Sequence, residues 1–110
     1  MQPTEIEIQR AVLNVLKRLV PRMVRVQSGT FRSKGAHVHA ADAGTPDLLG
    51  FCHHGRVVAV EVKTPGKSAT AKQSAFIADV VNAGGIAGVV SSVESAERLI
   101  RDGCADHASI

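Results

Sequence analysis

The chain has 110 residues, enough for one domain with its own core and too few for two. Aromatic residues are limited to three Phe, with no Trp or Tyr, which excludes base stacking on aromatic platforms as the main mode of recognition. The formal net charge of +3 is a mild basic excess, compatible with a phosphate-rich partner and equally with a surface kept soluble.

Residues 1–10 are polar and carry two Glu, unlike a secretory leader, and no apolar run approaches the ~20 residues of a membrane span. The expected compartment is therefore cytoplasmic, with no membrane partner. Thr4 opens a helix in which Ile8, Val12, Val15, Leu16 and Leu19 recur at helical spacing, and Pro21 stops it near Val20. Residues 22–27 alternate as a short strand. Residues 28–44 are rich in Gly, Ser, Ala, His and basic side chains and show no period, so they are expected to form a long loop.

A second strand is expected at 47–52, a turn at His53-His54-Gly55, and a third strand at 56–63. The run Val57-Val58-Ala59-Val60-Glu61-Val62-Lys63 has the β-branched content of a strand buried on both faces. A helix over 70–82 presents Ala71, Phe76, Ile77, Val80 and Val81 as its apolar face, and Gly84-Gly85 ends it. A strand at 86–91 and a helix at 93–101 capped by Ser92 complete the chain, with a loosely held tail after Asp102. The order is α-β-β-β-α-β-α. The expectation is a single α/β domain with a central mixed sheet flanked by helices and a core over about 4–101.

Glu61 and Lys63 interrupt the most apolar strand. They share one face, about 7 Å apart along the chain. An isolated Glu-x-Lys at a strand end is usually an exposed salt bridge, but Asp47 changes the balance. A hairpin joining 47–52 to 56–63 brings Asp47 beside Glu61 and Lys63. Two carboxylates at one point repel, and a divalent cation removes the conflict. Carboxylates, a backbone carbonyl such as that of Val62, and waters are the donors that Mg²⁺ prefers. With Lys63 directed at a phosphate or an attacking water, the arrangement suits phosphodiester hydrolysis.

Pro46-Asp47 followed by Glu61-Val62-Lys63 resembles the signature of the PD-(D/E)XK nuclease superfamily. The wider context is similar to its virus-type replication-repair nuclease branch, the VRR-NUC domain. That context comprises Gly44-Thr45-Pro46-Asp47-Leu48-Leu49-Gly50 and Val60-Glu61-Val62-Lys63-Thr64-Pro65-Gly66-Lys67. Glu5 resembles the acidic residue of that branch's first helix, and Gln73 the Gln that opens its second. The resemblance runs from about Thr4 to Leu99.

It implies a restriction-endonuclease-like fold and a Mg²⁺- or Mn²⁺-dependent DNA endonuclease. Asp47 and Glu61 would hold the metal, Lys63 would orient the water or stabilise charge, and Glu5 would complete the metal shell. Glu7 is a rival for that place, although Glu5 lies on the helix face of Ile8 and Gln9. Both acids also suit a helix first turn, and Gln73 also suits a plain surface amide. Stand-alone members of the branch resemble Holliday-junction resolvases and tend to act as symmetric dimers, which implies branched DNA and a second copy as partners.

Gly66-Lys67-Ser68 is not a P-loop, because Glu61 stands where the first glycine is needed, so no nucleotide cofactor is expected. His37, His39, His53, His54, His107, Cys52 and Cys104 lack zinc-ligand spacing, and the two cysteines read as isolated reduced thiols. Arg25, Arg32, Lys34, Lys67 and Lys72 are candidates for phosphate contacts, or simply solvated charges. A non-catalytic DNA-binding accessory module, a flap or duplex-end nuclease, and an RNA-directed nuclease are the competing readings.

Overall fold

Thr4 starts the first helix, α1 (Glu5–Leu19), through a capping box: its hydroxyl accepts the Glu7 N–H, and the Glu7 carboxylate accepts the Thr4 N–H. The computed structural model describes the backbone of residues 2–26, 29–33 and 36–108 and the side chains of residues 2–26 and 42–104. After α1 come β1 (Arg22–Arg25), β2 (Gly29–Ser33), β3 (Ala36–Ala41), β4 (Leu48–Phe51) and β5 (Val57–Val62). The chain continues through α2 (Ala71–Asn82), β6 (Ile86–Val90) and α3 (Val93–Ala108).

Four strands form one mixed sheet in the order β1-β4-β5-β6. β1, β4 and β5 run antiparallel, and β6 lies parallel to β5. A parallel neighbour cannot be reached by a tight turn, and α2 is the crossover that reaches it. A left-handed Gly84 ends α2, with Gly85 N–H donating to Val80 O and Gly84 N–H to Val81 O.

Alternation along β5 divides the sheet into two faces. Val58, Val60 and Val62 join Met23, Leu48, Ile86 and Val90 in the core, against Ile8, Val12 and Leu16 of α1 and Ala96 and Ile100 of α3. Val57, Ala59, Glu61 and Lys63 point to the opposite face, where α2 packs on β5 and β6. That face is only partly covered. Val24, Phe51 and Val57 remain 46%, 44% and 49% exposed, so β5 is not buried on both faces at its start.

The α-β-β-β-α-β-α framework is as expected, with three differences. The segment expected as a long loop contains β2 and β3, a separate antiparallel pair. Its Gly, Ser and basic composition hides the alternation by which a strand is recognised. No residue of α2 is fully buried, and Val81 of its expected apolar face is 51% exposed, because the helix covers half a sheet face from one side. α3 continues past Asp102, since Cys104 extends the core-facing series Ala96 and Ile100. Gly103 there permits close packing: a Cβ would lie 2.8 Å from Ile86. Among the described residues, no helix is long and apolar enough to cross a membrane.

Candidate active site

The site begins at the turn before β4. Thr45 donates from its N–H and its hydroxyl to Asp42 O. Gly44 adopts φ +95°, and a Cβ there would come within 2.7 Å of Lys72 Cβ. Only glycine combines that backbone angle with so close an approach. The turn therefore lies directly on the first turn of α2, which fixes Asp47 relative to that helix.

Asp47 is held at three points. Its carbonyl accepts the Val26 N–H at 2.7 Å, its own N–H donates to Glu61 Oε1 at 3.3 Å, and its Oδ2 accepts the Val62 N–H at 3.0 Å. The β4–β5 ladder runs out at the pair Leu48–Val60, and the Asp47 carboxylate supplies the acceptor for the Val62 N–H beyond it. Asp47 and Glu61, fourteen positions apart, thereby meet at one end of the sheet.

Glu61 is 2% exposed. Its Oε2 accepts a hydrogen bond from Gln73 Nε2 at 3.0 Å and lies 3.6 Å from Lys63 Nζ. Burial, and then the neighbouring Asp47 charge, push the Glu61 carboxyl up to about 7, against the opposing pull of Lys63. One ammonium does not balance two adjacent carboxylates in a site withdrawn from water. A hard divalent cation would, and Asp47 and Glu61 are oxygen donors of the type it takes.

Gln73 has two roles in this geometry. Thr70 and Gln73 form a capping box, in which the Thr70 hydroxyl accepts the Gln73 N–H and Gln73 Oε1 accepts the Thr70 N–H. With its oxygen so engaged, the amide must present Nε2 to Glu61. The Thr-x-x-Gln spacing carries this signal in the sequence, although Thr70 was not singled out there. Gly44 was likewise expected as the end of the loop over 28–44. Nothing in the sequence alone reveals its approach to Lys72.

The other candidates are placed less centrally. Val62 is fully buried beside the pair. Glu5 is part-exposed in the first turn of α1, and among the described residues no third His, Cys, Asp or Glu joins Asp47 and Glu61. Glu7 is engaged in its capping box, and the Thr4 backbone bond holds its carboxyl below the usual range. Lys67 is exposed in the turn after β5 and Lys72 is exposed next to Gln73, so both flank the site. Arg25 is exposed on the edge strand opposite Leu48. The side chain of Arg32 and the whole of Lys34 lie outside the described residues.

Comparison with protein families matches the VRR-NUC domain to residues 8–94. No curated protein gives a match. The matched span includes Asp47, Glu61, Lys63, Gln73 and the Gly44 turn that positions them, and it begins just after Glu5. A match over most of the chain, centred on these residues, places the chain in the VRR-NUC family of nuclease-type domains.

Proposed function

We propose that this chain is a Mg²⁺- or Mn²⁺-dependent endonuclease that cleaves branched DNA such as Holliday junctions, acting as a symmetric dimer. The observation that carries the reading is the convergence of Asp47, Glu61, Lys63 and Gln73 from three elements onto one buried point. A bound divalent cation supplies Lewis acidity to the phosphate and lowers the pKa of a water. Asp47 and Glu61 would hold it, with the Val62 carbonyl as a further oxygen and Glu5 completing the shell directly or through water.

The remaining chemistry belongs to the chain's own side chains. Gln73 fixes Oε2 of Glu61 and so sets which oxygen lone pairs face the ligand. Lys63 holds a positive charge beside Glu61, where it orients the attacking water or balances charge developing on the phosphate. Lys67 and Lys72 flank the site, where they would hold the backbone through phosphate contacts, and Arg25, Arg32 and Lys34 are assigned the same role from the sequence. Two-fold symmetry would present two such sites to opposed strands of a junction.

The test is cleavage of a labelled four-way junction and a matched linear duplex, in Mg²⁺, in Mn²⁺ and in chelator, by wild type and Glu61→Ala. The expected result is metal-dependent nicking of the junction that disappears in the variant. Preferential cutting of flaps or duplex ends would move the substrate within the nuclease reading. Junction binding without cleavage in any metal would overturn the enzyme reading in favour of a binding module.

A further inference from the structure

Cys52 and Cys104 are far apart in the sequence and meet in the fold. Cys52 follows β4 on the core-facing side of the sheet and is 1% exposed. Cys104 continues the inward series of α3 after Ala96 and Ile100, and it packs half-buried against the same core. Both cysteines pack against the same core, with the Cys52 side chain near enough to act on the Cys104 thiol. Arg56 fixes the encounter from both sides. Its carbonyl accepts the Cys52 N–H at 2.9 Å, and its guanidinium donates to Gly103 O at 2.9 Å, one residue before Cys104. A second guanidinium bond, to Gly84 O at 2.6 Å, holds the same side chain against the start of β6.

We propose that Cys52 and Cys104 are a redox-active pair that peroxide converts to an intramolecular disulfide, bracing the β4–β5 turn against α3. Cys104 is the sulfur a small oxidant reaches, because Cys52 is enclosed. The Cys104 thiol gives up its proton, the thiolate attacks one peroxide oxygen and breaks the O–O bond, and the leaving hydroxide takes up a proton, giving a sulfenic acid and a water. The Cys52 thiol then displaces the sulfenic hydroxyl, forming the S–S bond and releasing a second water. One peroxide is reduced to two waters while two thiols are oxidised to one disulfide, so atoms and electrons balance. Burial and the Cys52 neighbour push the Cys104 thiol up, which makes its oxidation slow, with the Arg56 cation opposing that effect.

The bond would close a loop of roughly half the chain, so the oxidised form should have the higher melting temperature. Cys52 faces the α1 and α3 side of the sheet, whereas Glu61 faces α2, so the brace leaves the Asp47–Glu61 geometry in place. The proposal is independent of the nuclease reading.

The experiment treats the full wild-type chain with hydrogen peroxide under native conditions, alkylates residual thiols after denaturation, and maps peptides by mass spectrometry. Thermal melting is followed before and after reductant. The expected result is a single-chain mass lower by two hydrogens after denaturation, a 52–104 cross-linked peptide, and a raised melting temperature that reductant reverses. Two alkylatable thiols, over-oxidised Cys104 beside intact Cys52, or a disulfide between chains would overturn it.

Discussion

At Asp47 the main chain and the side chain are both engaged, and two substitutions separate structure from chemistry. Asp47→Asn keeps an oxygen for the Val62 N–H and removes the charge, so the fold should hold while cleavage falls about 100-fold or more, the scale expected for damage to a metal site. Asp47→Ala also leaves the Val62 N–H without its acceptor, at about 1–3 kcal/mol in denaturant unfolding. Glu61 makes a pH prediction for the metal-free protein. Its folded pKa, near 7, is above the ordinary 4.5, so the folded state binds the proton more tightly than the unfolded chain does. The resulting stability is fully present below about 4.5 and is lost as pH rises through 7. Melting temperatures in chelator should fall across that window, and Glu61→Gln should flatten the slope while abolishing cleavage.

At the scale of elements, α2 is loosely packed, and its N-terminus forms part of the site. It buries no residue completely, yet its first turn carries Gln73 and receives the Gly44 turn. Gln73→Glu keeps an oxygen for the Thr70 N–H and suits a helix N-terminus, but it replaces the donor to Glu61 with a third negative charge. Activity should therefore be lost with little change in helix stability. Gln73→Ala should lose both, with a cap cost of about 1 kcal/mol. Equal unfolding midpoints for the two variants would argue against the division of labour within this side chain. The strand carrying Glu61 was legible from its β-branched run and paired charges. The dual use of Gln73 was not, because only the folded crossover brings its amide to β5.

For the whole molecule, the partly uncovered sheet face is the surface on which association would be decided. Val24, Phe51 and Val57 are exposed on one face, and Val57 continues into a 460 Å³ cleft lined by Phe76 and Val80. Exposed apolar surface of this kind suits protein association, and it is where the proposed dimer would be tested. Light scattering should give a dimer for wild type and a monomer for Phe51→Arg, with the Asp47–Glu61 site intact in both. A wild-type monomer at working concentration would remove the two-site scheme for opposed strands.

Much of this protein was determined locally. Capping at Thr4, helical spacing through Leu16, the apolar run at β5 and the glycines after α2 each act through near neighbours, so they can be read from the chain in order. The candidate residues Asp47, Glu61 and Lys63 were also legible, from a hairpin argument supported by a family signature, and Gln73 from the resemblance alone. Tertiary structure alone decided which oxygen faces which donor, that Glu61 is enclosed enough to hold its proton near neutrality, and that Gly44 must touch Lys72. It also brought the free thiols Cys52 and Cys104 to one core, and it placed strands where composition suggested a loop. The reason is common to all of these: contacts between residues distant in sequence depend on register and crossover, and neither leaves a periodic trace in the residues themselves.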